Sequence, residues 1–113
     1  MENNVETAAA FTLWIEAEQW PAGEWNPEDC NSDVLVTRAD GSHWMATFFS
    51  YQNVGSTVAR SHRSGERLSG KYFWASDMIL VDEVTRARIA DVVNDLIRDG
   101  GFERAFLRCD GHE

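Results

Sequence analysis

Between Tyr72 and Phe106 the apolar positions recur with two different periods. Met78-Ile79-Leu80-Val81, led in by Tyr72, Phe73 and Trp74, is a short continuous apolar run, the pattern of a strand buried on both faces. Ile89, Val92, Val93, Leu96 and Ile97 then fall on one helical face. Thr85 offers a side-chain oxygen to the free N–H groups of a helix start. Gly100-Gly101 supplies the left-handed residue that ends a helix. The spacing predicts a strand over 72–82, a helix over 85–99 and a further strand from Phe102 to Leu107. The short link makes the helix antiparallel to the strand before it. The last strand is therefore expected to run parallel to 72–82 through a right-handed crossover.

Upstream the period is two. Phe11, Leu13, Ile15 and Ala17 point one way, and Thr12, Trp14, Glu16 and Glu18 the other, which predicts a half-buried strand with an acidic outer face. Asp33 to Ala39 and Ser42 to Tyr51 flank Asp40-Gly41, a hairpin signal. Counting outward from a two-residue turn pairs Val36 with Met45, Val34 with Thr47 and Arg38 with His43 on one face. Leu35 with Ala46 and Thr37 with Trp44 fall on the other. Between these strands, Trp20 to Asn31 holds both prolines, Pro21 and Pro27, and reads as a long loop. Asn53 to Gly70 is rich in Ser and Gly, with Arg60, Arg63, Arg67 and Lys71 at three- and four-residue steps. It reads either as a helix with a basic stripe or as one turn and a loop.

The elements add up to an α+β fold. The expectation is a mixed, mostly antiparallel sheet of about five strands with one main helix (85–99) packed on one face. The 113 residues make a single domain, 1–113, with a frayed start (1–10) and a tail (109–113). One helix covers one sheet face. The other is expected to expose some of Trp14, Leu35, Trp44 and Phe48, and to be covered either by the basic segment folding across it or by a second copy of the chain as a homodimer.

Charge changes this picture more than composition does. The net charge is −9, and residues 1–33 carry eight acids and no base, against 11 acids and 10 bases in the rest. An acidic balance argues against nonspecific binding to nucleic acid or an anionic membrane, and it permits a basic protein partner. Five Trp and six Phe exceed what so short a chain needs for a core, which points to an aromatic surface. The chain opens on acidic and polar residues rather than basic then apolar ones, so no secretory leader is expected. No apolar run approaches the roughly 20 residues that span a bilayer. A cytoplasmic location with both cysteines reduced is the expectation.

Chemistry-bearing residues are scattered. Cys30 sits beside Glu28 and Asp29, whose charges raise a thiol pKa and blunt a nucleophile. Cys109 and His112 share a ligand-like spacing, but Cys30, Cys109, His43, His62 and His112 form no second ligand pair. No phosphate loop, Gly-x-Ser-x-Gly elbow or His-Glu-x-x-His helix occurs. No catalytic residue, cofactor or metal site is assigned.

Two functions follow. In the first, a non-catalytic domain holds a protein partner through an acidic, Trp-containing surface built from Trp20, Glu24, Trp25, Glu28 and Asp29; aromatics anchor and charges steer. In the second, Arg60, His62, Arg63 and Arg67 gather a small molecule or anion against the aromatic sheet face. The segment Tyr72-Phe73-Trp74 to Val81, with the Ile89/Val92/Val93/Leu96/Ile97 helix, resembles small bacterial α+β domains. The size, acidity and α+β make-up are similar in general character to bacterial immunity proteins. That resemblance implies a regulatory or inhibitory role and carries over no functional motif.

Overall fold

The computed structural model describes residues 11–109. The expected frayed start (1–10) and the tail beyond Cys109, His112 included, lie outside the described residues. The fold is α+β, a five-stranded sheet with helices. β1 (Phe11–Ile15), β2 (Asn31–Arg38) and β3 (His43–Ser50) pair antiparallel in that order. A 3-10 turn (Glu16–Gln19) follows β1. α1 (Tyr51–Ser64) and the short α2 (Glu66–Gly70) then lead to β4 (Met78–Val81). α3 (Arg86–Asp99), α4 (Phe102–Ala105) and β5 (Leu107–Arg108) complete the described chain.

β3 is the central strand. Its second edge is shared: β4 lies parallel beside Thr47–Ser50, and β5 lies antiparallel beside Trp44 and Met45. β5 thus runs opposite to β4, and the parallel connection belongs to β3, α1, α2 and β4. This corrects the expected parallel last strand. In a strand Phe102, Arg104 and Phe106 would share one face and bury the arginine between the rings. The helical turn places Phe102 and Phe106 together, stacked at 4.5 Å and buried, and leaves Arg104 exposed.

The hairpin register is one residue away from the two-residue count. Arg38 N–H donates to Ser42 O (3.0 Å) and Gly41 N–H to Arg38 O (2.9 Å), with Gly41 at φ +87°. This is a three-residue loop closed by a left-handed glycine. Val36 therefore faces Trp44, Val34 faces Ala46 and Leu35 faces Met45. A one-residue slip turns a whole strand over relative to its neighbour. In the observed register Val34, Val36, Trp44, Ala46 and Phe48 share one face and are all buried. On that face α3 lays Ile89 and Val93, joined by Val84, Phe102 and Phe106.

The caps on α3 are those the sequence signals. Thr85 Oγ1 accepts from Arg88 N–H (3.1 Å), and Gly100 closes the helix at φ +84°. The outer acids are tied by Arg88 to Asp91 (2.9 Å) and Arg98 to Asp95 (3.0 Å). Arg86 does something else: its guanidinium pairs with Glu18 (2.8 and 3.0 Å) and donates to Leu13 O (3.0 Å). The Arg38–Ser42 bond fixes the alternation, so Leu13 directs its carbonyl to the edge of β1 that faces away from β2. Arg86 occupies that edge, a common guard against strand addition.

Residues 53–70, left open between helix and loop, contain most of a 14-residue helix, α1. Ser50 Oγ accepts from Asn53 N–H (3.1 Å), and Gly65 ends the helix at φ +86°. Its buried stripe is polar, made of Asn53, Thr57 and Ser61. Arg67, Leu68 and Ser69 then adopt left-handed φ values of 52°, 53° and 59°, each a strain of about 1–2 kcal/mol for a residue with a side chain.

Gly70 lies against α1. A Cβ there would stand 2.7 Å from Val58 O and 3.0 Å from His62 N, at φ +81°. Gly70→Ala is expected to cost roughly 2 kcal/mol, through both the clash and the positive φ. Urea unfolding should show the loss, and an unchanged midpoint would contradict the close approach.

Candidate functional site

The second face of the sheet is built by the residues that alternate with the core. Trp14 faces Leu35, Leu35 faces Met45, and Met45 faces Leu107. Directly opposed residues share a face, so these four form one apolar row across β1, β2, β3 and β5. Trp14 is 47% and Leu107 50% exposed, and Leu35 and Met45 are half-buried. On one side runs a polar row of Thr12, Thr37 and His43, where Thr37 Oγ1 and His43 Nδ1 lie 3.0 Å apart.

The row on the other side carries acid. Asp33 and Thr47 are paired across β2 and β3, and Thr47 Oγ1 donates to Asp33 Oδ1 (2.8 Å). Glu16 Oε1 accepts from Asp33 N–H (3.2 Å), which places a second carboxylate at that end of β1. Neither carboxylate is in an ion pair among the described residues. The strand positions on this face from Thr12 to Leu107 are apolar, hydroxylic, acidic, histidine or, at Asn31, amide; none is Lys or Arg. The surface is thus acidic and Trp-containing, but its tryptophan is Trp14.

Of the residues expected to expose themselves here, Trp14 and Leu35 do so. Trp44 and Phe48 lie in the core instead, because the register puts them on the α3 side. β1 had announced Trp14 through its period of two. Met45 and Leu107 joined it only once the register and the antiparallel β5 were known.

The loop from Trp20 to Asn31 is a buttress. Trp20 and Trp25 are half-buried and pack against the core. Trp25 Nε1 donates to Val84 O (3.0 Å), and Val84 N–H donates to Pro27 O (2.7 Å). The loop is thereby pinned to the chain that enters α3. Asp29 receives Asn53 Nδ2 and Ser56 Oγ (both 3.0 Å). Only Glu24 and Glu28 of the five candidate partner residues are exposed. Cys30 is buried, and burial first, then the Asp29 charge, pushes its thiol pKa up, which keeps it protonated and unreactive.

The bonds from Asn53 and Ser56 hold the Asp29 carboxyl below the usual range. Asp40 is lowered by Ser42 and Asp82 by Arg88. A lowered folded-state pKa favours the ionised form in the fold. Its contribution is present above the unfolded value, about pH 3.9, and disappears as pH falls through the lower folded value. Stability is therefore expected to fall with acidification below about pH 4. Asp29→Asn should flatten that acid limb in thermal melts. An identical limb in the variant would deny Asp29 its part.

The four candidate anion residues do not converge. Arg60 and His62, two positions apart on α1, point about 200° apart around the axis. His62 Nδ1 lies 3.2 Å from Ser69 O. Arg67 turns inward, donating to Ser61 Oγ (3.2 Å) with its guanidinium 5.4 Å from the Phe73 ring centre. Arg60 and Arg63 remain exposed on the helix.

A shallow depression of about 510 Å³ along α3 is lined by Asp91, Val92, Asn94, Asp95, Leu96 and Arg98, and both of its aspartates are already paired. Among the described residues no three His, Cys, Asp or Glu gather as metal ligands, and no helix is long and apolar enough to cross a membrane. No family model matches the chain, and no curated protein or solved structure is significantly similar to it.

Proposed function

We propose that this chain is a non-catalytic protein-binding domain, inhibitor- or immunity-like, whose acidic, Trp-containing sheet face holds a partner protein. One observation carries the reading: the unbroken row Trp14–Leu35–Met45–Leu107, half open to solvent on a face whose charges are Asp33 and Glu16. An apolar strip with an aromatic at its end suits an interface core. Its acidic neighbours suit a partner that brings basic groups around an apolar centre. The eight acids and no base of residues 1–33 extend the same sign, which would speed the encounter with a basic surface.

A second copy is a poorer fit for this strip, because stacking two such faces brings like carboxylates together. The small-ligand reading loses support from the divergence of Arg60, His62, Arg63 and Arg67.

The test is a photo-crosslinking side chain placed at Thr37, on the strip's flank, and separately at Ala87, exposed on α3. Adducts with a different, basic protein from Thr37 but not from Ala87 are the expected result. Adducts with the chain itself, together with a doubled mass in sedimentation, would replace the partner with a homodimer. Equal labelling from both positions would remove the face as the binding surface.

A further inference from the structure

The unit formed by α1 and its return through α2 to Trp74 has the opposite electrostatic character from the sheet face. It carries Arg60, Arg63, Arg67 and Lys71 against one acid, Glu66, whose carboxylate accepts from Ser64 Oγ (3.1 Å). Among the described residues none of these four cations closes an ion pair. Arg60 stands near enough to Asp29 to help lower its pKa without contact. Arg38, Arg86, Arg88 and Arg98, by contrast, are all paired with carboxylates. A protein of net charge −9 has acids to spare, yet this arm is left without them.

The arm also exposes apolar groups. Leu68 is 69%, Trp74 66% and Tyr72 49% exposed. Leu68 belongs to the left-handed run and is bracketed by anchored neighbours. Arg67 is bound to Ser61 and covers Phe73, Phe73 meets Phe49 edge-on at 5.3 Å, and Ser69 O lies against His62. The backbone is held in a strained form, and the leucine between the anchors faces solvent. Strain retained by surrounding contacts is a mark of functional segments.

We propose that the α1–α2 arm is a second docking surface, for an acidic amphipathic segment of another protein. Arg60 and Arg63 lie one helical turn apart, so their side chains are neighbours on the surface. Carboxylates three or four residues apart on a partner helix have the same spacing. Leu68, Tyr72 and Trp74 supply the apolar anchors such a segment needs. A long polyphosphate or an anionic bilayer would extend past the arm into the field of the acidic first third. That field reaches about 8 Å at physiological salt. A short acidic segment extends past the arm less, and of those acids Asp29, held by Asn53 and Ser56 and sensed by Arg60, stays beside it. The arm adjoins the far end of the sheet face, where Phe73 packs on Phe49, and the proposal does not depend on what that face binds.

The test uses a labelled helical peptide of about 18 residues with glutamates at three- and four-residue steps and leucines on the opposite face. The same peptide with lysines, oligothymidylate and phosphatidylserine vesicles are the comparisons. Binding of the acidic peptide is expected, weakening about tenfold between about 50 and about 300 mM NaCl. The triple variant Arg60→Glu, Arg63→Glu, Lys71→Glu should lose about tenfold or more. Leu68→Ser with Trp74→Ser should lose a similar factor, and Trp14→Ser should change nothing. Circular dichroism confirms that each variant is folded. No binding of the acidic peptide, indifference to the charge reversal, or tighter binding of oligothymidylate or vesicles would overturn the proposal.

Discussion

Trp14→Ser is expected to remove partner binding while leaving the fold intact. The indole is about half exposed on the sheet face and lies opposite Leu35. Its loss would uncover one end of the apolar row without opening a cavity in the core, which lies on the other side of β1. Exposed substitutions of this kind shift stability by only about 0.5–1 kcal/mol. Interface tryptophans carry about 2 kcal/mol or more of binding energy, so affinity should fall roughly 30-fold or more. Titration of the crosslinked partner with native and variant chain would measure this, and thermal melts would verify the fold. Trp25→Phe provides the contrast. It removes the Nε1 bond to Val84 O and should lower stability by about 1–2 kcal/mol, with affinity retained by the folded fraction. If Trp25→Phe weakened binding and Trp14→Ser did not, the loop would be the binding surface and the sheet face would not.

Local signals made the fold class and α3 legible. An apolar face at helical spacing, a threonine cap and a glycine stop all agree over Thr85–Gly100. α1 was not legible in this way because its buried stripe is Asn53, Thr57 and Ser61. A helix whose inner face is polar leaves no apolar period to read. Its signals are the Ser50 cap, which reads as the end of the preceding strand, and Gly65, hidden in a Ser- and Gly-rich stretch. The candidate site depended on one residue of register. Val34 and Val36 gather Trp44, Ala46 and Phe48 on one face only if the loop holds three residues; a two-residue loop mixes them with Thr47 and His43. Sorting the hairpin by burial rather than by turn type would have separated Trp44 from Trp14. The role of Trp20 and Trp25 was beyond the reach of local pattern. Their partners are core residues, among them Val84, which is 59 positions from Trp25.

Trp44→Ala should therefore act on folding and not on association. Trp44 is 6% exposed, and its ring meets Phe102 edge-on at 5.3 Å, with the Arg108 guanidinium 5.5 Å from its centre. Its Nε1 donates to Ser42 Oγ (2.8 Å), which donates to Asp40 Oδ1 (2.6 Å). Truncation would strip the ring from between β3 and α4 and remove a donor from the buried Ser42. Large-to-small changes of this type cost about 3–5 kcal/mol, a large part of the roughly 5–15 kcal/mol that holds a domain together. At about 4–8 °C per kcal/mol for a domain near this size, Tm should fall by roughly 12–40 °C. Trp44→Phe keeps an aromatic beside Phe102 and gives up the Ser42 bond, so a drop of about 1–2 kcal/mol is expected. The order native, Trp44→Phe, Trp44→Ala in calorimetry would place the indole in the core. A Trp44→Ala chain with native Tm and reduced mass would instead place Trp44 at an interface, and with it the register that separates the two faces of the sheet would fail.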